Sequence, residues 1–356
     1  MHKGNPCYLR PPIVSHHGTD YRRYSRAVPL PEIALIDEIR RLTAYSHRAK
    51  PQSARIGIAT GIGDDCAVLR LPSDQDLLVT TDFSLEGVHF RRNWHSPESV
   101  GHRCVARGLS DIAAMGGEPI AVFLSVALPA DLPQSWAKRF IIGLTRLAQK
   151  HGATLAGGDT AQSPQGILAD IILVGRVPRG TAVLRSGARP GDRVFVTGKL
   201  GGSAAAVLEL EKRPRSKSNP KEYFRHFFPE PRIEIGRILR KRRLASAMID
   251  TSDGLSTDLS HICEESGVGA EINSEEIPRA RVGKSLREVS LDLALHGGED
   301  YELLFTAPRT VRIPRSIQRV TITEIGMITR RKGLFLRTSE ATKKLVPRGW
   351  EHFRDR

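Results

Sequence analysis

The chain has 356 residues, 40% of them hydrophobic, and a formal charge of +15; that length accommodates two domains with separate cores, and no low-complexity tract suggests a mostly disordered protein. No apolar run reaches the ~20 residues of a membrane helix, the N-terminal MHKGNPCYLRPP lacks the apolar core of a signal peptide, and Cys7, Cys66, Cys104 and Cys263 form no C-x-x-C pair, so a cytoplasmic protein without a zinc site or disulfide framework is expected. The basic residues are dispersed, densest at Lys212–Lys221 and Arg237–Arg243, and no zinc-finger, RRM or basic-zipper pattern accompanies them, so the charge reads as a surface that attracts anionic ligands such as nucleotides, with no nucleic acid or membrane as partner.

Residues 1–28 are polar and aperiodic and read as an extension outside the folded core. Pro31–Ala44 carries Ile33, Ile36, Ile39 and Leu42 at helical spacing. Strands are predicted over Cys66–Leu71 and Leu77–Thr81, and a helix over Ser99–Met115 ending at Gly116-Gly117. A strand over Ile120–Leu128 and a helix over Gln134–His151 follow, then strands over Thr154–Ala156 and Ile167–Val177. A boundary is expected near Pro178–Gly180, giving an N-terminal domain over 29–179 and a C-terminal domain over 180–356. Beyond it come a strand at Arg193–Thr197, a Gly198–Gly202 turn and a Ser203–Glu211 helix. The basic loop Lys212–Lys221 separates them from a helix at Arg232–Arg242 and a strand at Ala247–Ile249. A Ser256–Ser266 helix and a Tyr301–Thr306 strand complete the pattern of two α/β domains.

Six acidic, mostly glycine-containing motifs are placed at predicted strand ends or on a buried helix. Gly61-Ile62-Gly63-Asp64-Asp65 combines a backbone that can approach a phosphate with two carboxylates suited to Mg²⁺. Thr80-Thr81-Asp82 sets hydroxyls beside a carboxylate, with His89 shortly after. Asp111 lies among apolar neighbours, where a carboxylate needs a cation or a basic partner such as Arg107 one turn back. Gly157-Gly158-Asp159-Thr160, Asp250-Thr251-Ser252-Asp253-Gly254 and Gly297-Gly298-Glu299-Asp300-Tyr301-Glu302 repeat the theme. Each alone is compatible with turn chemistry, and Ser252 or Asp253 could simply cap the next helix. Together, in a basic protein, they suggest carboxylates that converge on two or more Mg²⁺ ions in a phosphate-transfer site. The usual nucleotide signatures are missing: Thr197-Gly198-Lys199-Leu200-Gly201-Gly202-Ser203 has the wrong spacing for a P-loop, and no kinase H-R-D or D-F-G set is present.

The stretches GIGDDCAVL, TTDFSLEGVHF, LSDIAAMGGEP, GGDT, RSGARPGDRVFVTGKLGGSAA, MIDTSDGLSTDLSHI, SGVGAEI, GGEDYELLF and GWEHF resemble, in order, those of thiamine-monophosphate kinases, within the superfamily of aminoimidazole ribonucleotide synthetase. The resemblance runs from about Pro31 to Phe353. It implies a two-domain α/β (α+β) fold, an N-terminal mixed-sheet domain that pairs in a homodimer, and direct transfer of the ATP γ-phosphate to thiamine monophosphate. It implies metal ligands at Asp65, Thr80, Thr81, Asp82, Asp111, Asp159, Asp250 and Asp253, holding several Mg²⁺ ions. It further implies ATP contacts at Gly158, Arg185 and Ser252, and thiamine-substrate contacts at His89, Glu299 and Trp350, the last able to stack on a ring. No general base is expected, because a phosphate acceptor is already anionic. Selenophosphate synthetase and the hydrogenase-maturation member need a reactive cysteine where this chain has none. Aminoimidazole ribonucleotide synthetase itself, and a non-catalytic nucleotide- or nucleic-acid-binding protein, are the remaining alternatives.

Overall fold

A computed structural model describes residues 38, 39, 41, 57–60, 68–212 and 221–350. The expected Pro31–Ala44 helix is helical at Glu38, Ile39 and Arg41. The rest of it, the 1–28 extension, the Gly61–Asp65 turn with Asp65 itself, residues 213–220 of the basic loop and residues 351–356 lie outside the described residues.

Strands β1 (Gly57–Thr60) and β2 (Val68–Arg70) form an antiparallel pair. Then come β3 (Gln75–Leu85), α1 (Pro97–Ala114), β4 (Glu118–Pro129), α2 (Gln134–Lys150), β5 (Thr154–Ser163) and β6 (Leu168–Pro178). Their sheet runs β3-β6-β4-β5, antiparallel except for β4 beside β5. Along β3, exposed Leu77, Val79, Thr81 and Phe83 alternate with the more covered Leu78, Thr80, Asp82 and Ser84. The period of two therefore sends Thr80 and Asp82 to the face that α1 covers. Helix α1 starts where Ser96 Oγ accepts the Ser99 N–H at 3.2 Å, with Pro97 in its first turn. It is buried along most of its length.

The second half begins with β7 (Arg193–Thr197), α3 (Gly202–Lys212), α4 (Phe224–Phe227) and α5 (Ile233–Lys241). Next are β8 (Ala247–Asp250), α6 (Leu255–Ser266), β9 (Gly269–Asn273), the short pair β10 (Arg281–Val282) and β11 (Arg287–Glu288), and α7 (Leu291–His296). The chain closes with β12 (Leu303–Ala307), β13 (Ser316–Ile317), β14 (Val320–Thr329), β15 (Gly333–Arg337) and β16 (Thr342–Leu345). The larger sheet runs β16-β15-β9-β14-β7-β12-β8, with β13 on β14, and only β15 beside β9 is parallel.

Its central strands read as continuous apolar runs because both faces are covered. Phe195, Met248, Leu303 and Phe305 share one core with Leu109 of α1 and Leu239 of α5. Val194, Val196, Ile249 and Leu304 share another with Leu255 and Leu259 of α6. The first core therefore runs through both halves, and α1 is its common element.

Four local expectations change. Thr80–Asp82 lies inside β3, and Gly157–Thr160 lies inside β5, neither at a strand end. The last acidic strand starts at Leu303 instead of Tyr301, because Glu299 and Tyr301 take positive φ of 64° and 51°. Neither Ser252 nor Asp253 caps α6: its N-cap is Gly254, whose N–H goes to Asp258 Oδ2 at 3.0 Å.

Helices α1 and α2 cross at glycines. A Cβ on Gly101 would sit 2.0 Å from the Phe140 carbonyl oxygen, and one on Gly143 2.1 Å from that of Glu98. Both obstacles are backbone, so neither can swing away. Gly101→Ala is expected to cost roughly 1–3 kcal/mol, measured as a lower denaturation midpoint at unchanged slope; an unchanged midpoint would contradict this tight crossing.

Candidate active site

Three carboxylates from three elements meet where the two halves face each other. Asp82 projects from β3, Asp111 from the last turn of α1, and Asp250 from the end of β8. Thr80 Oγ donates to Asp111 Oδ2 at 2.5 Å, and Ser110 Oγ to Asp250 Oδ2 at 2.7 Å. Burial first, then the Asp111 charge, pushes Asp82 up to about 7 and Asp250 up to about 8. Asp111 is also raised by burial, against the pull of Thr80 and Arg185. The two carboxyls of Asp82 and Asp111 act on each other, the Asp111 charge raising Asp82.

These groups border a cleft of about 590 Å³, within the usual range for a small-molecule site. His89, Ser252, Asp253, Glu299 and Trp350 also line it. His89 Nδ1 accepts the Leu85 N–H at 3.0 Å, which places the ring proton on Nε2. The backbone N–H of Trp350 donates to the Asp253 carbonyl at 3.0 Å, and the residue lines the cleft. Arg185 is exposed, yet its charge reaches Asp111 and Asp250.

The other expected residues stand apart. The Thr81 side chain points to the opposite face of β3, where its hydroxyl donates to Asp170 at 2.9 Å. Asp82, Ile171, Leu124 and Gly158 neighbour one another across β3, β6, β4 and β5. Three strand spacings, roughly 14 Å, therefore separate Asp82 from Gly158 and Asp159. Asp159 is exposed and accepts the Thr160 N–H at 2.8 Å. Gly158 has no room for a side chain, since a Cβ would lie 1.9 Å from the Leu124 oxygen.

The donor set suits a hard cation, because it is made of oxygen atoms whose mutual repulsion is otherwise relieved only by protonation. Among the described residues, no group of three or more His, Cys, Asp or Glu side chains is arranged so that it could hold a metal ion by itself.

Arg103, Arg107 and Glu299 form a clamp over this cleft. Arg107 is not the partner of Asp111 that the spacing offered. Arg103 Nη2 and Arg107 Nη2 donate to the two oxygens of Glu299, each at 2.6 Å. Burial alone would raise Glu299, but these two charges hold it far below the usual carboxylate range. Arg103, Arg107 and Asp111 occur every fourth residue, on one face of a buried helix; that periodicity was the available signal for both arginines.

The P-loop-like turn is also accounted for. Asp300 accepts the N–H groups of Gly201 at 2.6 Å and Ser203 at 3.3 Å, so an internal carboxylate occupies the nest that a phosphate would need. Ser203 then starts a buried chain: its Oγ lies 2.9 Å from His226 Nδ1, and His226 Nε2 lies 3.2 Å from His95 Nε2. With His95 Nδ1 donating to the Arg91 carbonyl at 3.2 Å, His226 donates to His95 and accepts from Ser203. Burial, then Arg103, pulls His95 down to about 3, and the same causes with His95 itself pull His226 well below its ordinary value.

Two family models match the chain: AIR synthase related protein, N-terminal domain, over residues 63–177, and its C-terminal domain over 189–338. Thiamine-monophosphate kinase of Salmonella typhimurium is 38% identical over 283 residues, 78% of this chain and 84% of the relative. That of Aquifex aeolicus is 39% identical over 299 residues, 82% and 92% of the two chains. The crystal structure of thiamine-monophosphate kinase from Stenotrophomonas maltophilia superposes with a TM-score of 0.71 at 34% identity, covering 86% of this chain and 96% of that one. A complex of AaThiL with AMPPCP and TMP superposes at 0.70 and 33%, covering 94% and 100%. Hydrogenase maturation protein HypE of E. coli, at 17% identity and 0.66, shares the fold alone.

Both histidines are neutral in the folded protein below the pH at which an unfolded chain takes up protons. The pair's own contribution is therefore an acid limb, full above pH ~6.5 and lost as pH drops from there, against the opposite trend set by the raised Asp82 and Asp250. His226→Gln should flatten this acid limb in thermal melts taken from pH 7.5 to 5; an unchanged slope would remove the histidine pair as its cause. With domain models matching residues 63–177 and 189–338 and relatives 38% and 39% identical over most of its length, the chain belongs to the thiamine-monophosphate kinase family, within the AIR synthase related proteins.

Proposed function

We propose that the chain transfers the γ-phosphate of ATP to thiamine monophosphate, giving thiamine diphosphate and ADP. The observation that carries this is the meeting of Asp82, Asp111 and Asp250 from three elements in one cleft, opposite His89, Glu299 and Trp350. A relative in complex with AMPPCP and TMP supports the same pair of substrates.

Asp82, Asp111, Asp250 and Asp253 are the inner ligands in this reading, with Thr80 fixing Asp111. Asp65 and Asp159 are assigned to the outer part of the metal–nucleotide site, and Gly158, Arg185 and Ser252 to ATP, while Thr81, on the other face of β3, is left out. When bound, Mg²⁺ ions neutralise the phosphate oxygens and relieve the repulsion among these carboxylates. The chain's own contribution is alignment. Arg185 adds positive charge beside the phosphates, Trp350 offers an aromatic face to the thiamine ring, and His89 and Glu299 border the acceptor. No side chain needs to remove a proton, because the acceptor phosphate is already anionic at neutral pH.

The exposed stripe Leu77, Val79 and Phe83 of β3 with Ile172 of β6 supports a homodimer paired through the N-terminal sheet. Among the described residues, no helix is long and apolar enough to cross a membrane; a cytoplasmic location belongs to the same reading.

The direct test is ADP release with ATP, Mg²⁺ and thiamine monophosphate, with aminoimidazole precursors as controls; no release with thiamine monophosphate would overturn the assignment. Asp111→Asn and Asp253→Asn should each lower turnover by roughly 100-fold or more with the circular dichroism spectrum retained, and wild-type rates in both would sink the metal cluster. Asp250→Asn should raise the melting temperature in EDTA by a few degrees while abolishing the stabilisation that Mg²⁺ confers on the wild type. A lower melting temperature in EDTA would mean that burial and repulsion together do not disfavour the Asp250 carboxylate. Phe83→Asp should convert the dimer to monomer in sedimentation; an intact dimer would place the contact elsewhere.

A further inference from the structure

A second cleft, of about 430 Å³, lies on the other side of the Gly198–Gly202 turn from the first. Lys199, Lys221, Arg225, Arg281 and Arg319 line it, against one carboxylate, Glu222. Of these, Arg225 spends part of its charge on Glu302, at 2.8 Å. Five cations around so small a volume repel one another and create a strongly positive potential that polyanions relieve.

The wall between the charges is apolar. Phe224 and Leu286 both line the cleft, and their exposures of 57% and 66% are high for side chains of this size. Tyr223 and Val282 extend the surface. An aromatic and aliphatic wall beside a cationic rim suits a ligand with a flat ring at one end and phosphates at the other.

We propose that this second cleft is a nucleotide site, taking a nucleoside di- or triphosphate with its phosphates on Arg281, Arg319 and Lys199 and its base against Phe224 and Leu286. A thiamine diphosphate would bring a cationic ring into a pocket of five cations, so the charge balance favours a nucleotide. His226 lines this cleft and lies 2.9 Å from Ser203 of the first, so the two clefts share a wall. The assignment does not depend on what the first cleft binds.

Arg281 and Arg319 are exposed, so charge reversal there is compatible with folding. The test is calorimetric titration of the full chain, in EDTA, with ADP, pyrophosphate and thiamine diphosphate. The R281E/R319E variant isolates the second cleft whatever the first one binds. ADP should bind the wild type at least tenfold more tightly than either other probe. R281E/R319E should weaken ADP at least tenfold, with the melting temperature and the phosphotransfer rate retained. Saturable ADP binding that the variant leaves unchanged, or no ADP binding by the wild type, would overturn the site. Thiamine diphosphate or pyrophosphate binding that R281E/R319E weakens as much as it weakens ADP would overturn its assignment to a nucleotide. Should R281E/R319E lower the melting temperature, R281Q/R319Q is to be titrated in its place, with the same outcomes deciding.

Discussion

Glu299 faces two arginines of one helix, Arg103 and Arg107, at 2.6 Å each. None of the three could be covered alone, because a desolvated carboxylate or guanidinium without a partner costs several kcal/mol. Such an ion group is a weak source of net stability. Its consequence is geometric. The two arginines are one helical turn apart, and Asp111 follows one turn later on the same face. Fastening Arg103 and Arg107 to the Glu299 loop therefore sets where Asp111 meets Asp250 on β8, across the two halves of the molecule. The loop that carries Glu299 takes positive φ at residues 299 and 301 to make this possible.

The acidic run at 299–302 shows how one motif divides into three roles. Glu299 closes the clamp. Asp300 ties down the Gly201–Ser203 turn. Glu302 is fully buried and is held by Arg232, Arg225 and Thr197. Three acids within four positions thus point to three neighbourhoods, and of them only Glu299 borders the principal cleft. In the carboxylates that do gather there, burial is the larger cost and mutual repulsion adds to it. Asp82 and Asp250 are raised by burial and by Asp111, which is the situation a divalent cation would reverse. A binding-competent site is in this sense a destabilised one, its strain relieved by the ligand.

Most helices and strands were legible because their periodicity is strong. Arg193–Thr197 is a strand with the bounds its apolar run suggests, and the buried helix around Asp111 begins and ends within two residues of expectation. The misses have a common cause. Thr80–Asp82 and Gly157–Thr160 resemble turns by composition, yet both lie within strands. In β5 the glycine answers to the crowding of Leu124 against Gly158, a contact with another strand that composition does not carry. The separate fates of Arg107 and Asp111 were hidden similarly: four-residue spacing says that two side chains are neighbours, not that a third, 192 positions from Arg107, will claim one of them.

By itself, the sequence determined the element order, the two α/β halves, the family and the set of acidic residues from which a site could be drawn, because periodicity and motif order are properties of the chain alone. Only the tertiary structure decided which of those residues meet. Asp82, Asp111 and Asp250 converge because β3, α1 and β8 pack through one shared core. Thr81 is turned away by the pleat of its strand, and Asp159 is held three strands from Asp82. The scattered acidic motifs of the sequence thereby separate into a cleft that gathers like charges, a clamp that fixes it, and turns that only hold the backbone.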